Sequence, residues 1–308
     1  MVTIALTQQI AALFLMMAAG FILVKTGVAK AEDSKPISTV IVYLIVPAVL
    51  IHSFQIEHTP EIRNGFLLSL FTAILIQGLL LLIVTLLKKP LKLTPVEMTS
   101  VIYSNAGNLV IPLITAVLGD EWVIYASTYM SFQMILLWTH GNAVLMGKGE
   151  HVNWKKILLN PNVIAIAIGI FLFVTQIKLP VVINSVLSST SACVGPVSMV
   201  MLGMLLASVD YKKVFTNSRI YLTVALKMLI LPGLMLLILK FSPLKNFSPD
   251  GTTILLITLL ATITPSATTV TQLAQLHDNE PAYASAINMA TTVVALASMP
   301  LMIFLYTI

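Results

Sequence analysis

Two asparagines, Asn105 and Asn108, fall with Gly107 and Pro112 inside the stretch SNAGNLVIPL (104–113), and a second stretch, ATITPSATT (261–269), carries Thr264, Pro265 and Ser266. Both are embedded in long apolar runs. A proline inside a helix loses a backbone hydrogen bond and clashes with the preceding turn, at a cost of about 3 kcal/mol, unless the helix is interrupted there. Thr264 and Pro265 read as an N-cap and first-turn pair, which would start a fresh half-helix at Pro265 and leave the N–H groups of Ser266 and Ala267 free. In the first stretch Gly107 supplies unwound backbone, and the Asn105 and Asn108 side chains satisfy the polar groups it frees. Two such breaks, at Pro112 and Pro265, would aim two positive helix N-termini at one spot, an anion site without a fixed charge. The alternative is an ordinary proline kink whose amides bond to neighbouring helices.

The elements that hold these residues follow from composition. The chain of 308 residues is 58% hydrophobic and only 9% charged, with a mean hydropathy of +0.98, outside the usage of soluble domains. Apolar segments near 4–24, 37–54, 65–87, 94–118, 122–146, 161–177, 182–207, 217–239, 251–275 and 282–306 each approach the ~20 residues of a bilayer-spanning helix. The sequence therefore predicts an all-α integral membrane protein of ten transmembrane helices. Spans and short connections use nearly the whole chain, which leaves no room for a soluble catalytic domain. The first span leads into Lys25 and a second span, so it is expected to be retained rather than cleaved as a signal peptide. The single cysteine, Cys193, excludes an internal disulfide.

The net charge of +5 is distributed by loop, not gathered on one face, so it does not suggest nucleic acid as a partner. Lys25, Lys30, Lys35, Lys88, Lys89, Lys92, Lys148, Lys155, Lys156, Lys212, Lys213 and Arg219 lie in odd-numbered loops, against Arg63, Lys178, Lys240 and Lys245 in even ones. The positive-inside rule then puts the odd loops in the cytoplasm and both termini outside.

Two copies of one unit are expected. Pro265 follows Pro112 by 153 residues, Pro249 follows Pro95 by 154, and EWVIYAS (121–127) resembles EPAYAS (280–285). A five-helix unit spanning 1–150 would be repeated over 151–308. Five being odd, the second copy enters the membrane inverted, as in many secondary transporters, with helices 4 and 9 broken and crossing.

Other intramembrane polar residues are costly and are expected to face the protein interior. Lys227, near the centre of span 8, either offsets the charge of a bound dianion or braces the crossing as a hydrogen-bond donor. His140, toward one end of span 5, is the candidate for proton coupling, against the ordinary reading of a satisfied interior histidine. Gln77 and Asn288 read as helix-packing groups, and Asn160-Pro161-Asn162 as a capped helix start. No Asp or Glu lies mid-span, which argues against strict sodium/proton exchange. Without H-E-x-x-H, G-x-S-x-G or a buried acid pair, the sequence predicts neither an enzyme nor a metal or cofactor site. A passive anion channel remains the nearest competitor, and saturable flux separates the two.

SNAGNLVIPL, VPAVLIHSF (46–54), LNPNVIAI (159–166) and TPSATTVTQLA (264–274) together resemble the auxin efflux carrier family, and the asparagine-rich fourth span resembles its bacterial malate permease branch. The resemblance covers essentially the whole chain. It implies the fold of sodium/proton antiporters and bile-acid symporters, with a scaffold of helices 1, 2, 6 and 7 and a transport domain of helices 3–5 and 8–10. It further implies carriage of a carboxylate by an elevator-like movement, a binding role for Gln133 and Asn162, and a homodimer. The chain lacks the long hydrophilic loop of plant members between spans 5 and 6 and has Val110 where glycine often precedes the IP pair. Malate is therefore the first candidate substrate, ahead of auxin-like or other monocarboxylates. The expected site comprises Asn105, Asn108, Pro112, Gln133, Asn162, Lys227, Thr264, Pro265 and Ser266.

Overall fold

The computed structural model describes residues 2–57, 59–146, 155, 158–207 and 218–308, and nearly all of them are helical. In chain order the helices are α1 (Val2–Lys25), α2 (Ala31–Ser53), α3 (Pro60–Leu91), α4 (Pro95–Ile102), α5 (Ile111–Val117), α6 (Val123–Leu136, running on to Met146), α7 (Pro161–Thr175), α8 (Val181–Ala207), α9 (Ser218–Phe241), α10 (Gly251–Ile263), α11 (Thr268–Leu276) and α12 (Pro281–Thr307). Among the described residues, five are long and apolar enough to cross a membrane: α2, α3, α8, α9 and α12.

Local chemistry starts several of them where the sequence indicates. Thr94 and Glu97 form a reciprocal capping box at the head of α4, with Pro95 in the first turn. The Asn160 side chain accepts from the Asn162 N–H at 2.9 Å and so caps α7. Three interior prolines are accommodated without a break at their own position: Pro47, Pro112 and Pro232 each lie two residues past a widened π turn, at Ile41–Ile45, Ala106–Val110 and Leu226–Ile230. A π turn shifts the hydrogen-bond register, relieving the clash between the proline ring and the preceding turn. Pro112 is therefore not the point at which the fourth span breaks. The helix is interrupted earlier, at Tyr103–Asn105, and Gly107 lies inside the π turn.

The chain divides into two compact units. The first comprises Met1–Arg63, Gly107–Ser127 and Leu158–Val209, and so holds α1, α2, α5, α7 and α8. Within it α1 lies along α8 at backbone-to-backbone range. A Cβ on Gly20 would meet the Val200 carbonyl, and one on Gly203 the Met17 carbonyl. Such approach lets van der Waals contact act between helices that gain nothing from burying one apolar face on another in lipid. We expect Gly203→Ala to lower the thermal midpoint of the purified protein, by an overpacking cost of about 1–3 kcal/mol. Gly78→Ala, in α3 with nothing within 4 Å of its added Cβ, should leave the midpoint unchanged or raised. Equal midpoints for the two variants would contradict this packing. Elsewhere in the unit, Phe54 at the end of α2 packs edge-on against Phe173 of α7, ring centroids 6.3 Å apart.

The second unit comprises Asn64–Ala106, Thr128–Ile157 and Asp210–Ile308. Its centre is α10, of which every residue but Thr252 and Thr253 is buried. Thr258 of α10 meets Thr72 of α3, oxygen to oxygen, at 3.0 Å. At one end, the fully buried Glu97 joins three helix starts. Its carboxylate accepts from Arg219 Nε of α9 at 2.9 Å, from Tyr283 Oη of α12 at 2.7 Å and from the Thr94 N–H at 2.8 Å.

Candidate functional site

Two helices of the second unit stop in its interior. Helix α4 ends at Ile102 and α10 at Ile263, and the links that follow, Tyr103–Asn105 and Thr264–Ala267, run antiparallel past each other. Ser104 and Ser266 form an isolated antiparallel bridge. The Asn105 N–H donates to the Pro265 carbonyl at 2.8 Å and the Ala267 N–H to the Tyr103 carbonyl at 3.0 Å. Buried backbone must be paired somewhere, and two interrupted helices solve the problem by pairing with one another.

Side chains complete the pairing. Gln133 of α6 grips Ser104 at both ends: its Oε1 accepts from the Ser104 N–H at 3.0 Å and its Nε2 donates to the Ser104 carbonyl at 2.7 Å. Gln77 of α3 donates to the same Oε1 at 3.1 Å. Asn288 of α12 donates to the Ser266 carbonyl at 2.6 Å, while Thr291 Oγ1 accepts from the Ser266 N–H at 3.2 Å. The Ser104 hydroxyl donates to the Thr262 carbonyl at 3.0 Å and accepts from Lys227 Nζ at 2.7 Å. Lys227 is 2% exposed and projects from the π turn of α9.

The start of a half-helix at Pro265, expected from its type, does not occur. Thr264 is extended, its hydroxyl turned back onto the Ala261 carbonyl at 3.2 Å, and α11 begins only at Thr268, with Ala267 at its N-cap. Since the Ser266 and Ala267 N–H groups are already paired, the unpaired donors of a helix start move on to the first turn of α11. Pro265 lies within the break, whereas Pro112 lies beyond its own, so the two prolines do not mark equivalent points. The residues that pair are Ser104 and Ser266.

The crossing gathers Asn105, Gln133, Lys227, Thr264, Pro265 and Ser266. His140 joins it at one remove, its Nδ1 lying 2.9 Å from the Tyr103 hydroxyl, which also donates to the Leu136 carbonyl at 3.0 Å. Pro112 and Asn162 belong to the first unit, where Asn162 is buried in the first turn of α7 and its Oδ1 lacks a hydrogen-bond partner. The Asn108 side chain lies outside the described ones. Ser104, Tyr103, Thr262 and Thr291 were not legible as site residues, because hydroxyls are common in apolar helices and only the pairing of distant segments gives these a role.

Five carbonyls at the crossing, those of Tyr103, Ser104, Thr262, Pro265 and Ser266, each accept an internal donor. Several donors remain. The Ser266 hydroxyl is buried without a partner, the Lys227 ammonium has two further hydrogens, and α11 presents its first turn. Among the described residues no three of His, Cys, Asp and Glu are grouped to hold a metal ion.

A sequence profile for the family described as Membrane transport protein matches the chain twice, over residues 5–154 and again over 150–303. A comparison with curated proteins finds none that matches. With one profile fitting both halves of a multi-pass helical chain, the protein belongs to the membrane transport family of the auxin efflux carrier type.

Proposed function

We propose that the chain is a secondary carrier of small organic anions, of the malate permease branch, with malate as the first substrate. The observation that carries this reading is the donor-rich crossing of α4 and α10, in which five carbonyls are used internally and the amine, hydroxyl and helix-start N–H groups are left for a ligand. Such a site suits a carboxylate and repels a hydrated cation. Asn105, Ser266 and Lys227 would touch the anion, with Gln133, Thr264 and Pro265 holding the backbone that shapes its seat. His140 is the proposed proton relay, through Tyr103.

In this reading the ten apolar segments are ten crossings, in two inverted five-helix repeats over 1–150 and 151–308. Helices 1, 2, 6 and 7 form the scaffold, and helices 3–5 and 8–10 the transport domain that carries the anion by elevator-like alternating access. The first unit groups helices 1, 2, 6 and 7, in keeping with that scaffold, and departs from the partition in also holding residues 107–127, the second half of helix 4 and the start of helix 5. A bacterial inner membrane, outward termini and a homodimer belong to the same proposal.

The test is uptake of radiolabelled L-malate into liposomes holding the purified protein, with membrane potential and pH gradient imposed separately. Saturable uptake supports a carrier. Flux linear in concentration would indicate a channel, and no flux of malate would move the assignment to another carboxylate. Asn105→Ala should reduce uptake at least tenfold while the protein still folds, the loss expected for one strong hydrogen bond to a charged ligand. Unchanged uptake in that variant would remove Asn105 from the site.

A further inference from the structure

Lys227 is an ionisable group fully inside the second unit, and in a membrane span such a residue calls for a partner. None of opposite charge faces it among the described residues. The helices packed against its π turn are α4, α12 and the flanking turns of α9. They carry Glu97, already bound to Arg219 and Tyr283, and Tyr306, whose hydroxyl donates to the Thr252 carbonyl. Helix α10 contributes no charged residue. Near the crossing itself stand Tyr129, which accepts from Thr262 Oγ1 at 3.4 Å, and the Tyr103–His140 pair. What Lys227 does meet is Ser104 Oγ, the side chain of the residue bridged to Ser266.

Broken, crossing helices in transporters commonly coordinate a dissociable cation through freed carbonyls. Here the Tyr103, Ser104, Thr262, Pro265 and Ser266 carbonyls are occupied by internal donors, and a positive group arrives on a side chain. We propose that Lys227 is a tethered cation: it supplies by covalent attachment the positive charge that holds the crossing together, so that no dissociable sodium ion binds there. Lys227 is in this respect a positioning residue, acting through Ser104. The inference deepens the anion reading but depends on it only for the malate comparison below.

The test is a set of thermal midpoints on the full-length purified protein in sodium, choline and methylammonium chloride at equal ionic strength. Wild type should show the same midpoint in all three. Lys227→Ala, which vacates the amine's place, should melt lower and recover in methylammonium but not in choline, by about 2 °C at ten times the dissociation constant. Lys227→Met, similar in length and uncharged, should melt lower and not recover. A wild-type midpoint raised by sodium over choline would overturn the proposal, and so would a folded Lys227→Ala that ignores methylammonium. Should both variants fail to fold, the wild-type sodium comparison still decides. L-malate should raise the wild-type midpoint and not that of Lys227→Met. If the cation results hold and malate has no effect on wild type, the tethered cation stands and the choice of malate falls.

Discussion

Gln133→Ala should abolish uptake and destabilise the second unit. The side chain that pairs with both backbone groups of Ser104 would be gone, leaving a buried N–H and a buried carbonyl without partners at about 1–3 kcal/mol each. The Gln77 amide would lose its acceptor as well. A shift of about 1 Å in a binding group can cost on the order of 100-fold in rate, and a crossing with Ser104 released moves Asn105 and Ser266 together. Gln133→Glu should fail in a similar way. It retains an acceptor for the Ser104 N–H but sets an oxygen against the Ser104 carbonyl, where a donor is needed. Uptake per folded protein and the thermal midpoint should fall together in both variants. A Gln133→Ala protein with wild-type uptake would mean that the crossing does not shape the anion's seat.

Glu97→Ala should give the largest loss of stability outside the crossing, without touching a proposed ligand contact. The carboxylate is fully buried, caps α4 through the Thr94 N–H and binds Arg219 and Tyr283 at the starts of α9 and α12. Arg219 also donates to the Leu91 and Lys92 carbonyls, so the same cluster closes the end of α3. Breaking a buried pair from one side costs about 3–5 kcal/mol, and because the guanidinium is partly open the lower end, about 3 kcal/mol, is expected. Tyr283→Phe removes one hydrogen bond and should cost about 1 kcal/mol. The two variants are compared by thermal midpoint. A Glu97→Ala protein no less stable than Tyr283→Phe would show that Arg219 finds adequate partners elsewhere.

The two stretches that carry the helix interruptions stood out in the sequence, because asparagine, glycine and proline inside apolar runs conflict with a continuous helix wherever they occur. The centres of the interruptions did not. A proline signals that one N–H is missing, but a π turn can absorb that loss, and Pro112 sits beyond such a turn while the chain opens at Tyr103. Pro265 signals a helix start by type, yet its neighbours' N–H groups are claimed by Thr291 and Tyr103, far away in the chain. Capping was legible at Asn160–Asn162, where the partners lie within two residues, and not at Thr264, where the helix starts only at Thr268. Lys227 and Gln133 announced themselves by polarity in an apolar setting, but polarity does not name a partner. That both converge on Ser104, a residue unremarkable in type, depends on three segments of the second unit meeting at one backbone.

The central claim, an anion seated at the crossing and carried across the membrane, is tested most directly by thiol labelling of Ser266→Cys in a Cys193→Ser background. The Ser266 hydroxyl has no hydrogen-bond partner, so the exchange to a thiol disturbs no pairing. Membrane-impermeant maleimide is applied to liposomes of known orientation from the outside or from the lumen. An alternating carrier with its site at Ser266 predicts labelling from either side and slower labelling from both in saturating L-malate. Labelling from one side only, at a rate indifferent to every carboxylate tried, would contradict it.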